Sequence, residues 1–242
     1  MRRGVFQSVR RWLARCRRGW LVYHLADPRF AFMYDEPPEG EWVALDCETT
    51  GLDVRRDQII SIGAVRIVGN RLLTSQRLEL LVRPERALKV AGMRIHQLRE
   101  QDVAHGMEPR LAMQRLLEFI GSRPLVGYYL AFDVAMLNRE IWPLLGVRLP
   151  QRKIDVSAMY YDFKNRQLPA AARGGVIDLR FATLMDDLAL PRREAHDALD
   201  DAVMAGLAFV KLRRLTAPGH PGESPLLSGI SAITSRSPVR FL

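Results

Sequence analysis

The chain has 242 residues, 48% hydrophobic and 26% charged, a balance that supports one large buried core and excludes a disordered polymer. Two cysteines, Cys16 and Cys47, exclude a disulfide framework; a reducing, cytoplasmic setting follows, with Cys47 a small core residue. The net charge of +9 and pI near 10.1 suggest a polyanionic partner, yet Arg2, Arg3, Arg10, Arg11, Arg15, Arg17 and Arg18 carry +7 of it, so the rest of the chain is only mildly basic.

At the N-terminus, Val5, Val9, Trp12, Leu13, Cys16 and Trp20 recur at helical spacing with arginines between them, which predicts a basic amphipathic helix. It lacks the apolar run needed to span a bilayer, and its Arg-rich, acid-poor composition also suits a transit peptide. Nucleic acid, an anionic membrane surface and a docking protein all fit such an arm. Pro37 and Pro38 end any helix, so residues 1–40 read as helix and linker, and residues 41–215 as the folded domain. Residues 216–242, rich in Pro, Ser and Gly, read as a disordered tail.

The body opens with three predicted strands, WVALDCE, QIISIGAVRIV and LLTSQRLELLV, the last two joined by a Gly-Asn turn. PRLAMQRLLEFIG then predicts a helix, PLVGYY a buried strand, AFDVAMLNREIWPLLG a helix and KIDVSAMYY a strand running into a helix. Leu179 to Leu215 is mostly helical. An antiparallel meander followed by alternating helix and strand implies an α/β fold with a mixed sheet flanked by helices.

Asp46 and Glu48 stand two residues apart on the first strand and so share a face, with Cys47 on the other. Like charges so placed need a raised pKa, a basic partner or a divalent cation. Two later sites answer them: Asp133 opens a helix after a buried strand, and His196 and Asp201 flank the start of the last long helix. Each alone also suits an ordinary structural role, such as an acid at a helix N-terminus.

Taken in order, LDCETTGL, IISIGAVRI, LLVRPE, IHQL, FDVAMLN, IDVSAMY and HDALDDA resemble the motifs of the DnaQ-like DEDDh 3′–5′ exonucleases over about residues 41–215. That family includes the proofreading epsilon subunit of bacterial DNA polymerase III, ribonuclease T and oligoribonuclease. The resemblance implies a ribonuclease H-like mixed five-stranded sheet and release of nucleoside monophosphates from nucleic-acid 3′ ends; DNA and RNA exonucleases share its residues, so polymer and strandedness stay open, with DNA set slightly ahead of RNA and single strands ahead of duplex. It makes Asp46, Glu48, Asp133 and Asp201 the ligands of two Mg²⁺ or Mn²⁺ ions and His196 the general base. Thr49, Leu52 and His96 become candidate substrate contacts.

Two departures from the pattern stand out. Tyr128 and Tyr129 replace a frequent His-Asn pair and are candidates for stacking on a base, although at least one is expected to pack in the core. Gln97 stands where a Gly often follows the Ile-His pair. Asp155 and Asp178 are expected to cap local structure, and Asp200 to face away from Asp201.

Two rival readings exist. A silent nucleic-acid-binding or polymerase-associated scaffold of the same fold would be expected to have lost an acid, and none is missing. An HD-type phosphohydrolase needs further metal histidines on an all-helical scaffold, whereas this chain begins its body with strands. QRLLEF, from Gln114, superficially matches a clamp-binding peptide, but its leucines are needed for the core.

Overall fold

A computed structural model describes residues 18–85, 103–192 and 197–217. The first seventeen residues, which carry most of the predicted arginine helix, the tail from residue 218, His96 and His196 lie outside the described residues.

Among these residues the strands are β1 (Glu41–Thr49), β2 (Ile59–Val68), β3 (Arg71–Leu81), β4 (Leu125–Gly127) and β5 (Lys153–Asp155). The helices that matter to the site are α1 (Pro109–Ile120), α2 (Ala131–Leu145), α3 (Val156–Gln167), α4 (Phe181–Asp187) and α5 (Ala198–Leu215). The sheet order is β3-β2-β1-β4-β5. β1 pairs antiparallel with β2, and β2 with β3, while β1–β4 and β4–β5 are parallel. The expected mixed five-stranded sheet flanked by helices is therefore present, and β1 lies at its centre.

Period-two alternation along β1 sorts its side chains into two cores. Val43, Leu45 and Cys47 pack with Leu116 and Leu117 of α1 and Met136 and Leu137 of α2. Ala44 faces the other way, among Val65 and Ile67 of β2, Val126 of β4, and Ala208, Phe209 and Leu212 of α5. Asp46 and Glu48 continue the Ala44 face, so the acids point to the layer that contains α5.

All the flanking helices but α2 have a local reason to start where they do. Pro109 sits in the first turn of α1, and the Glu108 carboxylate accepts from the backbone N–H groups of Arg110 and Leu111 at 3.2 Å. Its buried stripe is Ala112, Met113, Leu116, Leu117 and Ile120, so the QRLLEF leucines are indeed core. Asp155 caps α3 by accepting from the Ser157 N–H at 2.9 Å, and Asp178 accepts from the Arg180 N–H and the Thr183 hydroxyl, as expected of both. Asp197 caps α5, accepting from the Asp200 N–H at 2.9 Å.

One packing relationship precedes the junction near residue 40. A 3₁₀ turn, Pro28–Tyr34, capped by Asp27, buries Phe30 and Met33 in the α1/α2 core, where Leu25 joins them. The Ala26 N–H also donates to the carbonyl of Leu145 at 2.9 Å, at the end of α2. No helix among the described residues is long and apolar enough to cross a membrane.

Candidate active site

Three elements deliver carboxylates to one place. Asp46 and Glu48 hang from the end of β1, and Asp201 projects from the first turn of α5. One oxygen from each lies within 4.8 Å of the other two. Asp133, in the first turn of α2, is buried near them, close enough for the charge of Glu48 and the backbone N–H groups of Cys47 and of Asp133 itself to act on its carboxyl.

The electrostatics are those of charges crowded away from water. Loss of solvent is the first cause holding the Asp46 carboxyl well above the usual carboxylate range, followed by the charges of Asp133, Asp201, Glu48 and Asp197. Burial pushes Asp133 up to about 8 against the two N–H groups, with Glu48 and Asp155 adding to the rise. Every donor is a carboxylate oxygen, which suits a hard divalent cation, and a cation is what removes the cost of gathering these charges.

Gly63 lies beside that gathering, and its position inside a strand pointed to a close backbone approach without showing what approaches. It lies opposite Asp46 in the β1–β2 register, and a Cβ built there would fall 2.2 Å from the carbonyl of Ala198 and the N–H nitrogen of Leu199. The backbone of the α5 start therefore rests directly on β2. The β1–β2 pairing slips just beyond the acids, from Glu48 opposite Ser61 to Thr49 opposite Ile59, and this bulge starts the loop of residues 50–58.

That loop is tied down from both sides. Thr49 is buried and its hydroxyl donates to the carbonyl of Gly51 at 2.7 Å. The Asp57 carboxylate accepts from the Asp53 N–H at 2.8 Å and the Thr50 hydroxyl at 3.1 Å, and a Cβ on Gly51 would strike it. Arg139 of α2 donates to the backbone carbonyls of Val54 and Asp57 and pairs with Glu140, a long-range clamp that no motif signalled. Leu52 is held at the tip, 83% exposed.

The two tyrosines separate in role. Tyr128 donates its hydroxyl to the Leu179 carbonyl at 2.7 Å and stacks on Phe181, centroids 4.5 Å apart and planes 26° from parallel. Tyr129 leans on Tyr128 at 4.5 Å but is 51% exposed, and its backbone is left-handed with φ of 48°. A bulky residue there costs about 1–2 kcal/mol. The local fold holds its ring outward, four residues before Asp133.

The RNase T exonuclease family model matches residues 43–209. The chain belongs to the DnaQ-like exonuclease family. It is 30% identical over 175 residues to a DNA polymerase III subunit epsilon-like protein of Rhodobacter capsulatus, covering 71% of this chain and 23% of that protein. It is 33% identical over 171 residues to the DNA polymerase III subunit epsilon of Rickettsia felis, covering 70% and 72%. Its fold superposes on E. coli exonuclease I, solved as a zinc-bound complex with single-stranded DNA, with a TM-score of 0.61 over 75% of this chain and 42% of that one at 16% identity. The chain thus spans less than half the length of the Rhodobacter protein and of exonuclease I.

Proposed function

We propose that this chain removes nucleoside monophosphates from nucleic-acid 3′ ends by hydrolysis, acting on single strands and on DNA ahead of RNA. The observation that carries the reading is the meeting of Asp46, Glu48 and Asp201 within 4.8 Å, with buried Asp133 beside them, in a chain of an exonuclease family. Asp46, Glu48, Asp133 and Asp201 would hold two Mg²⁺ or Mn²⁺ ions. When bound, such ions neutralise charge at a phosphoryl oxygen and acidify water.

The remaining roles belong to the chain. His196, five residues before Asp201, takes the proton from the attacking water, a task suited to a side chain with a reference pKa of about 6.5. Leu52 supports the terminal nucleotide from the loop that Thr49 pins, and Tyr129 offers a ring to an unpaired base with Tyr128 bracing it from behind. His96 is a further candidate contact to that nucleotide. The arginine-rich N-terminal segment binds nucleic acid; an anionic membrane or a protein partner is the alternative.

Digestion of 5′-labelled DNA and RNA, single-stranded and duplex, with Mg²⁺ or Mn²⁺ tests the reading. A ladder shortening from the 3′ end, abolished by chelator, is expected. A labelled mononucleotide appearing first, or activity in excess chelator, would refute it. His196→Ala is expected to lose about 10²–10⁴-fold in turnover while still binding metal.

A further inference from the structure

We infer that Gly63 is a positioning residue for the metal-binding carboxylates: by lacking a side chain it sets how closely the start of α5, and with it Asp201, approaches Asp46. The inference rests on the metal-site reading above and deepens it.

Gly63 is opposite Asp46 in the β1–β2 register and shares the α5-facing side of β2 with Val65 and Ile67. The atoms 2.2 Å from its missing Cβ are the carbonyl carbon and oxygen of Ala198 and the nitrogen of Leu199, all backbone. No rotamer change can relieve such a contact. At the usual spacing of packed carbon atoms the helix start would have to withdraw by about 1.5 Å.

Asp201 lies less than one turn further along. Its N–H donates to the Asp197 carbonyl at 2.9 Å, within the first turn of the same rigid helix, so it would withdraw with Ala198. The carboxylate spacing that brings Asp201 within 4.8 Å of Asp46 and Glu48 then opens, while Asp46 and Glu48, fixed by the β1–β2 ladder, stay where they are.

Gly206 supplies the control on the same helix. Its added Cβ would come 3.0 Å from Leu72 Cδ2, the far end of a flexible side chain, and 3.3 Å from Ala44 Cβ. It lies more than a turn beyond Asp201. Crowding there disturbs α5 packing without pressing on the helix start.

The test is calorimetric Mn²⁺ titration of the full chain as wild type, Gly63→Ala, Gly206→Ala, Asp201→Asn and the double variant Gly63→Ala/Asp201→Asn, below each melting temperature. Gly63→Ala is expected to weaken Mn²⁺ binding about 10–100-fold, the range for loss of a group that orients a ligand. Gly206→Ala should lose stability but keep its Mn²⁺ affinity within about twofold. Adding Gly63→Ala to Asp201→Asn should weaken binding little further, because Gly63 acts through Asp201. If Gly63→Ala is unfolded in buffer, the same titration in trimethylamine N-oxide, which favours the compact state, supplies the reading. Wild-type affinity in folded Gly63→Ala, or an additive loss in the double variant, would overturn the inference. Failure of the wild type itself to bind Mn²⁺ would instead overturn the metal site.

Discussion

Arg139, midway along α2, donates through Nη2 to the backbone carbonyl of Asp57 at 2.5 Å and so couples that helix to the loop bearing Leu52. Arg139→Ala removes this bond and its companion to Val54. The loop should loosen without disturbing the carboxylates, so KM for oligonucleotide should rise on the order of tenfold, the equivalent of one bond to a charged donor. A kcat that falls while KM holds would place Arg139 in the chemistry instead.

Asp46→Asn should separate stability from activity. Burial and the charges of Asp133, Asp201, Glu48 and Asp197 make an ionised carboxyl costly at this position, so an amide that never ionises should raise the melting temperature of the metal-free protein. Turnover should fall by more than the roughly 10–100-fold typical of losing a supporting group around a metal. Paired melts and single-turnover assays check it, and near-normal turnover would remove Asp46 from the site.

The metal-free protein should lose stability as pH rises. In the fold Asp133 is pushed up to about 8 from an ordinary value of 3.8, so across that window it keeps a proton that the unfolded chain has released. The unfolded state binds fewer protons there, and unfolding free energy declines with pH; Asp46 acts in the same direction. Asp27, Asp178 and Asp187 act oppositely, held low chiefly by Arg29, Arg180 and Lys164, but their windows lie below about pH 4. Melts in chelator between about pH 5 and 8 should show a falling Tm that Mg²⁺ flattens or reverses. A rising Tm in chelator would contradict the raised pKa of Asp133 and Asp46 in the fold.

Removing residues 1–36 takes away Leu25, Phe30 and Met33, all buried against α1 and α2. The loss should be on the order of 5 kcal/mol, enough to unfold a marginal domain. Removing residues 1–17 alone should leave the melting transition in place. Denaturant titrations of both truncations distinguish them, and equal stability would mean the 3₁₀ segment contributes nothing.

Tyr129→Ala should weaken binding of a single-stranded oligonucleotide by about 5–150-fold, the range for one lost base–aromatic stack, with little effect on metal affinity. Tyr129→Gly should bind as poorly but relieve the left-handed strain at φ of 48°. Fluorescence anisotropy on both variants decides it; unchanged binding would assign the exposed ring no substrate role.

Much of the site was legible because regular elements place it. Alternation along β1 puts Asp46 and Glu48 together, and the helix starts that carry Asp133 and Asp201 follow from local patterns. What escaped was set by tertiary approach. Gly63 gives no sign of what rests on it, Arg139 reaches a loop more than eighty residues away in sequence, and Phe30 and Met33 sit in a 3₁₀ turn too short to show a period. The left-handed backbone of Tyr129 is likewise invisible in a residue type that seldom adopts it.

The contact between Gly63 and the start of α5 also orders events in time. The β1–β2–β3 meander joins neighbours in sequence, whereas α5 must arrive from the far end of the chain to close on β2. Contacts of such separation carry a large loop-closure cost and tend to form after the local hairpins. Mutual repulsion of Asp46 and Asp201 is then absent from the early nucleus and arises only as the helix docks. Added divalent ions should accordingly slow unfolding while leaving the refolding rate nearly unchanged, the signature of an interaction made after the transition state. Stopped-flow chevrons with and without Mg²⁺ would show it, and a refolding limb accelerated by the ion would place α5 in the nucleus instead.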